Sequence, residues 1–544
     1  MRRRLLALAL ASWCGATAFV QDPRRPLGPG PAWGGGRPAG SNEVFATADG
    51  CARCHSGAEN SNAMRSRLGE DVSPHRLWQA TVMANSFRDP YWRAAVAREC
   101  AEQPDRAGEL QGFCMRCHAP MHERTRTMGG QEPLSVRQAA DDPLARDGVS
   151  CTVCHQIRAR SLGDETTFDG KGRIGRGRVI YGPYEHPEAD VMRGMSGYAA
   201  MHGEHLRDAA LCGTCHTLST RHQGERFPEQ TPYLEWRNSV FSDEEGATGA
   251  SRTCQQCHMA DVGPTRIARN PDGSDFLLPA RGPYRAHAFV GGNAFLLELL
   301  ADHRERLGVE ASAQDLRRMA KATRRQLTTA TVDVTIGEVA HRGDELHFEV
   351  RVDNLTGHKF PTGYPARRAW LHVRVENEQG VVFDCGGFDR DGAIEGVISP
   401  LEHEHVDRIE STFDVLVWEQ VADDPDGEPT TSLTRMARRR KDNRLLPKGW
   451  RADGPHAADT APVGIGDDAD FVGGSDTVRV VVPYAQGLPK ATVLVWVHYQ
   501  PIPPHWVDDL RYVDAEECET FVEIYDAADH TPETIAAARR LERL

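Results

Sequence analysis

The sequence predicts a multidomain chain: a mainly α-helical and irregular region, then an antiparallel β-sandwich. Three observations predict it. Five copies of Cys-x-x-Cys-His fall within residues 51–258. Long apolar runs are scarce there, while Gly, Pro, Arg and His are plentiful. From about residue 331 the pattern changes to alternation of apolar and polar residues, the period of a half-buried strand. At 544 residues the chain has room for two or three domains.

The N-terminus reads MRRRLLALALASWCGATAFVQD. Three arginines precede a short apolar run, and Ala16-Thr17-Ala18 offers a small-residue cleavage site. This is the pattern of a secretory signal peptide over residues 1–18. The apolar run is too short and broken for a membrane anchor, and no later segment reads as transmembrane. Trp13 is a poor residue to precede a lipidated Cys14. An exported protein, periplasmic or extracellular, is expected. Residues 19–42 form a Gly/Pro-rich linker; eleven of the 21 residues at 21–41 are Gly or Pro, a composition for a tether rather than a packed element. Trp33 within it has no evident anchoring role.

The five motifs are CARCH at 51–55, CMRCH at 114–118, CTVCH at 151–155, CGTCH at 212–216 and CQQCH at 254–258. Cys-x-x-Cys-His is the attachment signature of c-type haem. Two cysteines three residues apart share one face of a helical turn and can add to two vinyl groups on one haem edge. The next histidine then reaches the iron. The attachment residues are Cys51, Cys54, Cys114, Cys117, Cys151, Cys154, Cys212, Cys215, Cys254 and Cys257. The iron ligands on that side are His55, His118, His155, His216 and His258. Zinc would need the CxxC units in pairs, and five leave one over. A dithiol redox site needs one CxxC, not five. The expected cofactors are five covalently bound haem c. Their attachment after export agrees with the signal peptide.

Residues 43–295 form the expected pentahaem domain. Its motifs have no fixed period, which argues against a solenoid. With few apolar runs, the haems themselves supply the core, and without them this region is not expected to fold. Residues 296–330 read as a helical connector: Phe295 to Leu300 is apolar, Ser312 and Asp315 have capping-box-like spacing, and Leu316, Met319, Thr323 and Leu327 share one face. Residues 331–526 read as the β-sandwich, from alternating sets such as Val332, Val334, Ile336; Leu346, Phe348, Val350, Val352; Leu371, Val373, Val375; Val478, Val480, Val482, Tyr484; and Val493, Val495, Val497, Tyr499. A long polar insertion is expected around 400–470, and a closing helix over residues 527–544, from Thr531 onward. Cys385 and Cys518 fit either a disulfide or two buried thiols, and Cys100 a buried structural thiol.

Several stretches resemble a known group: HRLWQATVMANSFRDPYWRA from His75, CMRCHAP, DGVSCTVCHQ, LCGTCHTL, EQTPYLEWRNS, CQQCHM, HAFVGGN from His287, NLTGHKFPTGYPARRAWL from Asn354 and KDNRLLPKGW from Lys441. Together they cover most of residues 45–510. The chain resembles exported bacterial multihaem cytochromes c related to the tetrahaem cytochromes of ammonia oxidisers, and within that group members with a C-terminal β-domain. The fifth motif and the β-domain depart from the simplest tetrahaem pattern.

Each iron needs a sixth ligand or an open face. Of 23 histidines, five sit in the motifs, leaving enough for a second imidazole at every iron. Four have favourable contexts. His75 follows a Ser-Pro helix start. His205 precedes the fourth motif, where the resemblance also places a histidine. His287 lies in HAFVGGN, whose glycines let backbone approach a flat ring. His358 lies in a Gly- and Pro-rich turn of the β-domain, bracketed by Gly357 and Gly363 and stiffened by Pro361 and Pro365. Each could equally be a surface histidine. His122, His186, His202 and His222 are weaker candidates. Met83, Met121 and Met259 are possible thioether ligands, although core methionines are commoner. Tyr233, Trp236 and Tyr284 could stack on haem edges, with plain packing the favoured reading, and Arg237 and Arg285 could hold propionates.

The formal net charge is −14, and removing residues 1–18 takes it to −17. Such a surface suits a basic or membrane-bound redox partner protein and argues against nucleic acid. The expected function is a pentahaem c-type cytochrome carrying electrons in an exported respiratory or redox pathway, with no catalytic residue assigned. The alternatives are a multihaem oxidoreductase acting on a small nitrogen or sulfur compound at a five-coordinate haem, or a structural subunit of an electron-conducting assembly. No Cys-x-x-Cys-Lys variant is present, which lowers the enzyme reading.

Overall fold

The structure, a computed structural model, describes residues 40–222 and 225–542. The expected signal peptide and most of the linker lie outside the described residues.

The N-terminal half is built from short helices because its sequence punctuates them. Pro90 opens the helix Pro90–Glu102, and the Asp89 carboxylate caps it by accepting from the Tyr91 and Trp92 amides. The motif segments are the helices Ala48–His55, Ala107–His118 and Cys254–His258 and the single turns Cys151–Cys154 and Ala209–Gly213. Two ribbons join them: Val179–Gly182 runs parallel to Ala199–His202, and Leu218–His222 pairs antiparallel with Glu225–Gln230. Apolar side chains gather in small separate clusters rather than one core, such as Phe87, Trp92, Val96 and Met115, or Ala63, Met64, Val72 and Tyr284. A region this short of shared core needs another source of cohesion.

Helices Ala294–Asp302 and Ala313–Ala330 pack together, the Ser312 hydroxyl caps the Asp315 amide at 3.1 Å, and Leu316, Met319, Thr323 and Leu327 are buried.

The C-terminal half holds two five-stranded sheets. One runs Arg408–Ile409, Ser475–Pro483, Glu345–Asn354, Val332–Ile336, with Ala340–Arg342 also on Glu345–Asn354. The other runs Val417–Trp418, Arg368–Asn377, Thr492–Gln500, Glu533–Leu541, with Gly380–Cys385 also on Arg368–Asn377. All pairs are antiparallel except Arg408–Ile409, which is parallel to Ser475–Pro483. Registers such as Val478 opposite Val350 and Val495 opposite Val373 put the alternating valines in phase. Inward residues of both sheets meet in one buried cluster that includes Val334, Val350, Val480, Val373, Val495 and Val497. Each such side chain contributes roughly 1.5–3 kcal/mol of burial.

Three expectations are corrected. Residues 527–544 do not close the fold as a helix: Glu533–Leu541 is a strand on the edge of Thr492–Gln500. The run Ala-Ala-Ala-Arg-Arg-Leu has good helix propensity, about a kcal/mol or less per residue. The unpaired edge of Thr492–Gln500 offers a ladder of hydrogen bonds and a buried slot for Ile535, 2 % exposed, and that wins. Residues 400–470 are not a polar excursion. They supply strands to both large sheets and a third, three-stranded sheet, and bury Leu416, Trp418, Leu445 and Leu446. Residues 504–526 are helical: Glu516–Asp526 leaves the sheets and packs on Pro90–Glu102, with Phe521 against Tyr91. Cys385 and Cys518 are buried free thiols in different clusters, and Cys100 is a half-buried one.

Replacing Ile535 with Ala is expected to lower stability by roughly 2–5 kcal/mol, whereas Ala537→Val, on the exposed face of the same strand, stays within about 0.5 kcal/mol. Chemical denaturation of the two variants checks this; equal effects would contradict the strand.

Candidate haem-binding site

The histidines ending four of the five motifs are fixed by the chain around them. The Nδ1 atoms of His55, His118, His155 and His258 lie 2.9, 3.1, 2.7 and 2.6 Å from the backbone carbonyls of Ile267, Ser86, Tyr181 and Val290. A carbonyl can only accept, so Nδ1 carries the proton and Nε2 keeps its lone pair, the state a metal ligand needs. Burial favours the neutral form of four motif histidines: the pKa values of His118 and His216 are pushed down to about 4, and those of His55 and His155 are also lowered.

Two pairs of rings are informative. His155 and His287 have centroids 6.2 Å apart with planes 15° from parallel. His258 and His358 stand at 6.3 Å and 18°. Stacked rings come closer, as Trp92 does on His118, at 4.5 Å and 7°. Two imidazoles on opposite faces of one metal, each bond about 2 Å long and each ring centre about 1.1 Å beyond its nitrogen, have centroids about 6 Å apart. The observed pairs match that spacing. His287 Nδ1 and His358 Nδ1 bond to the carbonyls of Arg285 and Lys359 at 3.1 and 2.8 Å, which leaves Nε2 free in both. Among the described residues, His55, His118 and His216 form no such pair.

The other candidates separate by environment. His75 is largely buried, 3.9 Å from the Asp49 carboxylate beside the first motif. His205 is buried, but its Nε2 already bonds the Ile157 carbonyl at 2.9 Å, so its available nitrogen is Nδ1. His122 is 3 % exposed, with Nδ1 on Asp142 and Nε2 buried without a partner; it stands better than its sequence context implies. His186 and His202 are exposed, and His202 pairs with Glu204. The side chain of His222 lies outside the described residues. Met121 is wholly buried and accepts from Thr152, and Met259 is buried. Met83 is half-buried.

The cysteines of different motifs touch. The Cys51 thiol is in hydrogen-bonding reach of Cys151, Cys117 of Cys215, and Cys212 of Cys254. Motif one therefore abuts motif three, and motif four abuts both two and five. Glycines allow close packing around the motifs: a Cβ on Gly213 would lie 2.6 Å from the Tyr233 ring, and one on Gly170, at φ +72°, 3.0 Å from Cys117 Sγ. Tyr233 and Trp236 pack beside the fourth and fifth motifs, with their polar atoms on Glu244 and the Arg252 carbonyl. Tyr284 is buried on Val72. Arg237 is paired with Glu244, and Arg285 reaches the Met259 carbonyl. Helical CxxC turns, a histidine with free Nε2 after four of them, and apposed second imidazoles at two fit haem c.

Residues that sequence reasoning missed hold the His358 turn. Glu235, on helix Pro232–Arg237 of the N-terminal half, accepts from the Lys359 amide at 3.0 Å and the Thr362 hydroxyl at 2.6 Å. It also pairs with Arg444 at 3.3 Å. Arg444 bonds Asp442 at 2.7 and 2.9 Å, and Asp442 pairs with Lys359 Nζ at 2.7 Å. All four side chains are at most 5 % exposed. The Asn354 amide adds bonds to the His358, Leu445 and Leu446 carbonyls. Two cations and two anions cancel, so the cluster stays charged away from water. The two flanking guanidinium and ammonium groups hold the Asp442 carboxyl well below its usual range, against the opposing effect of burial. The only signal in sequence was the unusual density of charge in LEW and KDNRLL.

No family model matches the chain, and no curated protein does. Among solved structures it is similar to a penta-heme cytochrome c552 from Thermochromatium tepidum, with a TM-score of 0.51 and 15 % sequence identity over 92 % of this chain and 100 % of that one. The likeness is one of fold.

Asp442→Asn is expected to destabilise the protein by roughly 3–5 kcal/mol, because it leaves buried Lys359 without an anion and Arg444 with Glu235 alone. The sign with pH follows from the depressed carboxyl: its contribution is present above the unfolded pKa of about 4 and is lost as pH falls below it. Acid unfolding of the variant should therefore show a shallower dependence than the wild type, and an unchanged profile would contradict this role.

Proposed function

We propose that the chain is a pentahaem c-type cytochrome that carries electrons in an exported respiratory or redox pathway. The observation that supports it best is the His258–His358 pair, two imidazoles from different halves of the protein at iron-bridging distance. In this reading Cys51, Cys54, Cys114, Cys117, Cys151, Cys154, Cys212, Cys215, Cys254 and Cys257 hold five haems. His55, His118, His155, His216 and His258 bind the irons from one side. His287 completes the third site and His358 the fifth, with His75 and His205 as second ligands elsewhere, His205 through Nδ1. Haem iron with histidine on both faces supplies one-electron transfer at low potential. The protein orients His55, His118, His155, His258, His287 and His358 through their Nδ1 bonds and brings neighbouring sites into contact. The two facing sheets are a β-sandwich that closes the fifth site and presents a surface to a redox partner. Residues 1–18 serve as the signal for export.

An open haem acting on a small nitrogen or sulfur compound is the competing activity. Carbon monoxide binding to the reduced protein separates the two: a carrier shows little, an open haem a stoichiometric spectral shift.

Intact mass of acid-extracted protein is expected to exceed the mature polypeptide by five haems. His358→Ala is expected to convert one low-spin haem to high-spin in the EPR spectrum and to loosen the C-terminal half. A bare-chain mass would end the first reading. An unchanged low-spin spectrum would end the assignment of His358.

A further inference from the structure

Glu229 lies near the end of strand Glu225–Gln230 and is 1 % exposed. Its carboxyl has one donor, the Gln230 side-chain amide, 2.8 Å from Oε1. Oε2 is buried and bonds to nothing among the described residues, and no cation forms an ion pair with the group there. The groups that face it come from four elements. Cys114 of the second motif feels its charge, as does buried Tyr364 from the C-terminal half; Glu99 of helix Pro90–Glu102 and Asp169 from the loop beside Cys117 add negative charge of their own.

Glu99 makes the contrast. It too is buried, yet it accepts from the Ser432 hydroxyl at 3.0 Å, the Leu433 amide at 2.7 Å, the Thr434 amide at 3.1 Å and the Thr434 hydroxyl. A carboxylate with four donors holds its charge in a buried place better than one with a single amide. Of the two, Glu229 is the one poised to take up a proton when the charge around it changes. Nothing among the described residues offsets the cost of burying this half-satisfied acid.

We propose that Glu229 is a redox-linked proton acceptor for the haem held by the second motif, an inference that rests on the five-haem reading. When an electron from a donor protein converts that site from ferric to ferrous, one positive charge is lost next to the carboxylate. Glu229 then binds one proton from solvent and becomes a carboxylic acid, and on reoxidation electron and proton both leave. Burial and the neighbouring acids place this carboxyl where it can respond, its pKa pushed up to about 8. Reduction raises that pKa and oxidation lowers it, so the midpoint potential falls as pH rises through the interval between the two and is flat outside it.

The test is a mediated spectroelectrochemical titration of the full-length holoprotein between about pH 6 and about pH 10, with haem content measured in parallel. One redox component is expected to fall with a slope of up to about 59 mV per pH unit. In Glu229→Gln, which mimics the neutral acid in shape, that component should become independent of pH while the haem count stays at five. Redox-difference infrared spectra of the wild type should gain a protonated-carboxyl band on reduction, which gives an answer even if the variant fails to fold. A wild type with no pH-dependent component, a slope that survives in the variant, or no carboxyl band would overturn the proposal. A haem count below five in the wild type would overturn the underlying reading instead.

Discussion

The spacing between His258 and His358 is the constraint on which the rest of the structure turns. The first histidine ends a motif helix in the N-terminal half, and the second sits in a turn between strands of the C-terminal half. Holding two imidazoles 6.3 Å apart across two separate bodies requires both to be rigid and their junction to be specific. The Glu235, Arg444, Asp442 and Lys359 cluster meets that requirement. Its bonds run from a haem-region helix to the backbone amide next to His358, so the turn cannot move without uncovering a buried charge. A second junction, from Glu99 and Arg98 to residues 431–434 and Asp509, fixes the opposite side. An interface of directional, fully buried polar bonds sets one relative orientation more sharply than apolar contact does.

Much of this was legible in sequence for physical reasons. The Cys-x-x-Cys-His spacing is set by covalent chemistry and needs no tertiary context. The alternating valines showed the strands because one face of each sheet is dry, and Ser312 showed its helix because a cap is a local interaction. The Gly- and Pro-rich turn around His358 stood out because a plain hairpin has no use for so much stiffness. What failed was decided by distant partners. The segment Glu533–Leu541 has the composition of a helix, and only the open edge of Thr492–Gln500 makes it a strand. Residues 400–470 look polar because their charges pair inside the fold: Lys441 with Glu419, His405 with Asp468, Arg444 with Asp442. The usable nitrogen of His205 could not be read either, since it depends on the carbonyl of Ile157 across the fold.

The order of the motifs in space differs from their order along the chain, and this bears on how charge moves. Motif one touches motif three, while motif two touches motif four, so sequence neighbours are interleaved. Motif four also touches motif five, and Cys154 of motif three senses both cysteines of motif four. In the five-haem reading proposed above, the fourth site would be a junction with three neighbours, and the second a branch off the line from one to five. A group on such a branch would couple its electron to a proton without slowing transfer along the line. In that reading a buried acid such as Glu229 belongs beside the second motif rather than the fourth, where a redox-linked charge would perturb every path at once.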